Sequence, residues 1–320
     1  MNQKDTNPFP YSESNKRYYT YDYYMKKRYG GKCVKIPLDA GLSCPNIDGK
    51  CGVGGCIYCS GRGSGDFAAS PALPLSEQYR ITRSKLTSKW DTSRCIAYFQ
   101  AHTNTYAPLD VLKRNFGEAA RFDGVVGLSI ATRADCLPSD VISYLNELSA
   151  VTDVTVELGL QTSNDNTAKL INRGHTFEAF KDGFYRLREG AKKVSICVHL
   201  IFGLPGESHE IMMKSVRDVA ALHPDQVKLH LMHVIKGTAL AAMYESGHYA
   251  PLGRSEYIDL VCRALTFLPE DVVICRLTGD GMEKTLLAPD WSRKKVTILN
   301  DIDKKMYEND LWQGKNISVM

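Results

Sequence analysis

Short runs of β-branched and aliphatic residues alternate along most of the chain with longer stretches whose apolar positions recur at helical spacing. Cys33–Leu38, Cys95–Phe99, Val125–Ala131, Val154–Gln161, Val194–Phe202 and Val227–Val234 read as strands. Leu75–Lys89, Leu109–Arg121, Ser139–Leu148, Phe177–Glu189 and Glu207–Leu222 read as helices between them. Strands of this length spaced by helices make βα units and a parallel sheet, so the fold class is α/β. Six strands predict a partial (βα)6 barrel, open at one side, with its chemistry at the C-terminal strand ends. Past about residue 250 the pattern changes to a helix (Ser255–Phe267), a further strand-like run (Val272–Leu277) and a basic tail around Trp291–Lys295. This predicts a C-terminal extension packed on the barrel. Three parts follow: a basic, tyrosine-rich segment (1–32), the barrel (33–250) and the extension (251–320). No low-complexity linker or repeat of solenoid period interrupts them.

Several strands break the expected pattern. A parallel strand covered on both faces is almost wholly apolar. Here Glu157, Gln161, His199, Lys228 and His230 intrude. Burying such groups costs several kcal/mol unless they meet partners. Each has a plain structural reading: Glu157 as half of a buried ion pair, His230 and His233 as satisfied core histidines, Gly203-Leu-Pro-Gly206 as a strand-to-helix turn with Glu207 in the first helical turn. Together they equally suit a polar ligand lying across the strand ends.

Composition narrows the class. The 320 residues are 43% hydrophobic, enough for one large core or two modest domains. No run reaches the roughly 18–20 apolar residues a membrane span needs. The N-terminus has no apolar signal region, so a soluble cytoplasmic protein without membrane contact is expected. Of ten cysteines, Cys44, Cys51, Cys56 and Cys59 fall within sixteen residues. Cys95, Cys197 and Cys275 sit in apolar runs, where cysteine acts as a small hydrophobe. One cluster among scattered thiols reads as a metal site in a reducing compartment.

That cluster follows the first predicted strand. Cys56-x2-Cys59 is a chelating pair on one tight turn, and Gly49, Gly52, Gly54 and Gly55 let the backbone wrap closely. Thiolates so placed suit zinc or an iron–sulfur cluster. A structural zinc site wants four closed ligands, and four cysteines are available. Three thiolates instead leave one iron open to a cofactor or substrate. The loop's place at a C-terminal strand end favours iron and sulfur.

A cysteine, a long gap, then Cys-x2-Cys with an aromatic before the last cysteine resembles the radical S-adenosylmethionine superfamily. The usual Cys-x3-Cys-x2-Cys spacing is not kept: Gly52 stands four before Cys56, and Cys51 misses by one. The wider gap, Cys44-x11-Cys56, is similar to that of the elongator catalytic subunit. Thr132-Arg-x-Asp135, Glu157-x-Gly-x-Gln161-Thr162, Asn172-Arg-Gly-His-Thr176, Gly203-Leu-Pro-Gly206 and Val234-Ile-x-Gly-Thr238 appear in that family's order. The resemblance spans about residues 30–255. Asn7-Pro-Phe-Pro-Tyr11, Lys16-Arg-Tyr18 and Arg276-Leu-Thr-Gly-Asp280 look more like the bacterial YhcC/YtqA-type branch. The chain ends too soon for an acetyltransferase domain, so the acetyl-CoA half of elongator chemistry is not expected of it.

The resemblance implies a radical-SAM barrel with a [4Fe–4S] cluster on Cys44, Cys56 and Cys59. Tyr58 would pack beside the cluster, and Cys51 competes for the place of Cys44. It implies S-adenosylmethionine contacts at Gln100, Thr132, Glu157 and Gln161, with Ser129 and Arg173 as further candidates. It also implies reductive cleavage to methionine and a 5′-deoxyadenosyl radical, and a one-electron donor such as flavodoxin or ferredoxin. No catalytic residue beyond these is singled out.

The substrate is less constrained. Between Tyr11 and Lys35, seven Lys or Arg face Glu13 and Asp22, interleaved with seven tyrosines. Basic groups neutralise phosphates and aromatic faces stack on bases, which makes a candidate RNA surface. The plainer reading is an N-terminal helix that docks its tyrosines and leaves its charges in water. With the elongator resemblance, the first reading makes the protein a tRNA-modifying enzyme acting on the 5-substituent of a wobble uridine. A radical enzyme for a small molecule or protein is the alternative. A non-catalytic zinc-binding module is the third.

Overall fold

A computed structural model of the chain describes residue 9, residues 14–279, residue 281 and residues 283–317. Of the motifs read from sequence, Asn7, Pro8, Pro10, Tyr11, Glu13 and Asp280 lie outside the described residues. Among the described residues nine strands are present: β1 (Val34–Leu38), β2 (Cys95–Phe99), β3 (Val125–Thr132), β4 (Asp153–Gln161), β5 (Ser195–Phe202), β6 (Gln226–Leu231), β7 (Val234–Ile235), β8 (Val273–Arg276) and β9 (Leu286–Ala288). Seven form one sheet in the order β1-β2-β3-β4-β5-β6-β8, while β7 and β9 pair antiparallel. The α/β class and the six expected strands are therefore found.

The count of six needs correction. The run read as part of the C-terminal extension enters the main sheet as β8, parallel to β6. Its Val273 and Ile274 are buried like those of any sheet interior. The predicted strand Val227–Val234 instead ends at Leu231, and Val234 turns away to pair with Ala288.

The chain divides into two compact units. The first holds Met25–Leu160 and Asn172–Cys197; the second holds the described residues through Tyr24, Gln161–Ile171 and those from Val198 onward.

In the first unit, β1 to β4 pair in parallel order. Val34, Ile36 and Leu38 of β1 are buried, as are Val154, Val156, Leu158 and Leu160 of β4. This face packs on helices: the Phe99 ring of β2 lies 4.8 Å from Phe116 on the helix Leu109–Ala119. Because side chains alternate, Lys35, Tyr98, Ser129 and Glu157 share the other face. On a flat sheet Lys35 and Glu157 would be about 14 Å apart across three strand spacings, and about 13 Å offset along them. Yet Lys35 Nζ stands 2.7 Å from Glu157 Oε1 and 3.1 Å from Ser129 Oγ. These four strands must curl around their polar face for the pair to meet. Lys35 also lies over the Tyr98 ring, 4.8 Å from its centroid.

In the second unit the same parity places His199 of β5 and Lys228 and His230 of β6 opposite the buried Val198, Leu200, Val227 and Leu229. The His199 and His230 rings are 5.3 Å apart. The N-terminal segment is part of this unit's structure. Tyr18 is buried, Thr20 forms a parallel bridge with Ile274, and Gln313 fastens Tyr19 through its side chain and Arg17 through its backbone. Lys16 pairs with Asp303, and Arg17, almost wholly buried, pairs with Asp310 at 3.0 Å.

The helix Tyr21–Tyr29 follows; its Arg28 forms a bidentate pair with Asp153, which holds that carboxyl below the usual range. Lys16, Arg17 and Arg28 thus pair with acids of the fold, where the plainer reading left the charges in water. Among the described residues no helix is long and apolar enough to cross a membrane.

Glu157 is fully buried, so deleting its cation is costly. Lys35→Met should lower unfolding stability by about 3 kcal/mol, the low end for breaking a buried pair, since the lysine keeps some water contact. Replacing both residues, as Lys35→Met with Glu157→Leu, should recover most of it. Urea unfolding of the single and double variants reads this out, and a double variant as weak as the single one would contradict it.

Candidate functional site

Cys44 to Cys59 form no regular element beyond one bridge between Asp48 and Val53. Turns close it locally, with Ile47 N–H donating to Cys44 O at 2.8 Å and Cys59 N–H to Cys56 O at 3.0 Å. Gly54 and Gly55 adopt φ of +79° and +77°, a backbone region that favours glycine. Further backbone bonds, such as Cys51 N–H to Pro45 O and Gly55 N–H to Asn46 O, close the loop on itself, and the segment after β4 ties it down. The Asn172 side chain donates to Val53 O at 3.0 Å and Gly55 O at 2.7 Å. In return Asn46 donates to Asn172 O, and its amide nitrogen lies 3.6 Å from Cys56 Sγ.

A second tie comes from the end of β3. Arg133 donates to Arg173 O at 2.6 Å, pairs with Asp135 at 2.7 Å, and stands 3.5 Å from Cys51 Sγ. Burial pushes the Asp135 carboxyl up, but Arg133 pulls harder and leaves it below the usual range. His175 is held well below the usual imidazole range, by burial and then by the Arg173 charge, so its ring is neutral at pH 7.

The thiols differ in their surroundings. Cys56 and Cys59 are pushed up by burial, Cys59 to about 12, and charge on Cys44 raises both further. The Tyr58 hydroxyl hydrogen-bonds Cys56, and its own proton is held by burial and by charge on Cys56 and Cys59. Tyr58 and Cys56 thus act on one another, and charge on Cys44 raises Cys51, Cys56 and Cys59 alike. Cys51 is exposed and pushed up by burial, against the pull of Arg133. Among the described residues no three His, Cys, Asp or Glu side chains are grouped as one metal ion would need them. The donor set still fits an iron–sulfur cluster: soft sulfurs, half-buried at Cys44, Cys56 and Cys59, gain a reason to ionise when positive iron lies among them.

The other expected contacts fall into two groups. Ser129 and Glu157 lie on the polar face of β1–β4, held by Lys35. Gln100 follows β2 and is half-buried, and Gln161 ends β4 in a left-handed conformation, φ +67°. A non-glycine residue held there is strained, a condition that clusters at functional sites. The remaining two are occupied elsewhere. Thr132 has the parity of the buried Leu128 and Ile130, and its hydroxyl meets that of Thr105 at 2.5 Å. Arg173 is almost fully buried, and its guanidinium binds Leu160 O and His175 O. Glu207, expected in the first helical turn, precedes the helix His209–Leu222 and accepts from Thr162.

Sequence reading gave no role to Lys35 or Asn46, and it marked Asn172 as the start of a motif without assigning it one. The alternation Val34-Lys35-Ile36-Pro37-Leu38 carried a signal for Lys35. Nothing local marks Asn46.

Exposure predicts an order of thiol reactivity. In the metal-free chain at pH 7.5, Cys51 should be alkylated by iodoacetamide at least tenfold faster than Cys56 and Cys59, as read by mass spectrometry of the peptides. Equal rates would show that the loop does not keep this shape in solution.

Comparison with known proteins adds the lineage. A sequence model described as Radical SAM superfamily matches residues 49–219, and one described as Radical_SAM C-terminal domain matches residues 224–308. Cys44 lies ahead of the first match. The uncharacterized protein YtqA of Bacillus subtilis is 43% identical over 309 residues, covering 97% of this chain and 95% of that protein. A tRNA uridine(34) acetyltransferase of Methanocaldococcus jannaschii is 33% identical over 158 residues, 48% of this chain and 28% of that protein. Among solved structures, the Elp3 protein of Methanocaldococcus infernus aligns with a TM-score of 0.65 at 20% identity, over 88% of this chain and 64% of that one.

Proposed function

The chain belongs to the radical SAM superfamily, and we propose that it is a tRNA-modifying enzyme acting on the 5-substituent of a wobble uridine. As a radical SAM enzyme it is implied by its family to use a [4Fe–4S] cluster and S-adenosylmethionine. The observation that carries the cluster reading is the placing of Cys56 and Cys59 on one turn of a loop clamped by Asn172, with Cys51 exposed beside Arg133. When bound, the cluster supplies the electron that cleaves S-adenosylmethionine and so starts the radical chemistry.

The chain's own part is to hold and shield. Cys44, Cys56 and Cys59 would hold the cluster, with the Tyr58 hydroxyl beside Cys56. Gln100, Ser129, Glu157 and Gln161 offer polar contacts for the cofactor, with Lys35 keeping the Glu157 carboxylate charged and aimed. Thr132 and Arg173 serve in this reading by fastening the strand ends that carry those contacts. A one-electron donor such as flavodoxin or ferredoxin, in the cytoplasm, completes the requirement.

Support for tRNA comes from the partial likeness to the uridine(34) acetyltransferase and from the basic helix carrying Lys26 and the exposed Lys27. The second reading, a small-molecule or protein substrate, has its own support: Lys16, Arg17, Arg28 and Arg293 all spend their charge or donors within the fold.

Two experiments decide. Anaerobically reconstituted protein should bind about four irons and cleave S-adenosylmethionine with dithionite. Cys44→Ala, Cys56→Ala and Cys59→Ala should each lose this, while Cys51→Ala keeps it; a colourless protein with one zinc would sink the enzyme reading. Mass spectrometry of tRNA nucleosides from a strain lacking the gene should show an altered wobble uridine. An unchanged profile, together with tRNA binding insensitive to salt, would favour the second reading.

A further inference from the structure

Asn46 touches both a thiol of the loop, that of Cys56, and the segment that clamps it. It has no exposed surface. Its amide nitrogen faces two acceptors, the Asn172 carbonyl and Cys56 Sγ at 3.6 Å. A carbonyl oxygen could not point there without meeting another oxygen, so the pair of acceptors dictates the amide's orientation. The Oδ1 atom is buried without a hydrogen-bond partner. It fills the space where two side chains would otherwise begin. A Cβ on Gly52 would lie 2.0 Å from it and one on Gly174 2.8 Å. Gly52 has no positive φ to explain it, so the glycine is there for room. The loop and the clamp are both shaped around this one amide.

We propose that Asn46 is a positioning residue that tunes the electron affinity of the iron–sulfur cluster, by holding an N–H donor against the Cys56 sulfur. This rests on Cys56 being a cluster ligand, as argued above. In the step concerned, one electron passes from a one-electron donor into the cluster, and no bond or proton need change. The added negative charge spreads onto the ligand sulfurs. A donor aimed at one of them stabilises the reduced form more than the oxidised one and raises the reduction potential. Burial leaves that dipole poorly screened. Asn172 keeps the donor aimed: its side chain grips Val53 O and Gly55 O while its own carbonyl, at a residue with φ +53°, takes Asn46's other N–H.

The test is a redox titration of the reconstituted protein with dithionite, followed by electron paramagnetic resonance. Asn46→Leu keeps the size of the amide and deletes its donors. Gly52→Ala leaves Asn46 chemically intact and drives its amide aside. Both should make reduction harder by about tenfold in equilibrium constant, about 59 mV for one electron. Asn46→Gln, which retains the donors, should stay nearer the wild type. A purely structural role would lower iron content but leave the midpoint of the occupied fraction unmoved. Unmoved midpoints in Gly52→Ala and Asn46→Leu overturn the proposal; if Asn46→Leu takes up no iron, the Gly52→Ala midpoint alone decides. A wild-type chain that takes up no cluster is a different result, and it overturns the reading of Cys56 beneath.

Discussion

Backbone groups must be satisfied somewhere, and the loop from Cys44 to Cys59 satisfies only part of its own through internal hydrogen bonds. With four glycines and one short bridge it has neither side-chain bulk nor a ladder to keep a shape. Its geometry is borrowed from Asn172, which grips two of its carbonyls, and from Arg133, which stands against Cys51. Those residues are themselves anchored: Arg133 by Asp135 and the Arg173 carbonyl, Arg173 by Leu160 O near the end of β4 and by His175 O. The thiols are thus placed relative to β3 and β4 by a chain of charge-assisted hydrogen bonds, stronger and more directional than packing of small residues would be.

The strands supply the other half of the design. Their alternation puts aliphatic residues against helices and charged or hydroxylic ones on the opposite face. A buried carboxylate such as Glu157 is tolerable only with a partner, and Lys35 reaches it from three strands away. That reach requires curvature, and curvature in turn makes a concave polar surface of the kind a cofactor with an amino acid, a ribose and a base can fill. The plain reading of Glu157 as an ion-pair member and the functional one are compatible, since the pair keeps the carboxylate charged.

Much of this was legible in the sequence. Six strands and five helices between them follow from periodicity, because each element must bury one stripe or face. The position of β8 was not, since a hydrophobic run says that a strand forms and not which neighbour it takes. The intruding polar residues were visible one by one; that Lys35 meets Glu157 emerges only when register and curl are known. Thr132 and Arg173 show the converse. Motif position marked them, but parity turns Thr132 toward Thr105, and Leu160 O and His175 O occupy Arg173. The basic N-terminal segment looked like an electrostatic surface because sequence cannot reveal that Asp153, Asp303 and Asp310 come back to meet it.

The clamp on the cysteine loop also sets an order of events during synthesis. Asn172 and Gly55 are 117 residues apart. At translation rates of about 5–20 residues per second, the loop waits roughly 6–23 s for the segment that shapes it. Through that interval its four thiols share a nascent chain with no fixed spacing, open to stray metals and oxidants. Delivery of iron and sulfur is then best timed after the fourth strand and the segment behind it have been made, so that the thiols meet the metal already spaced.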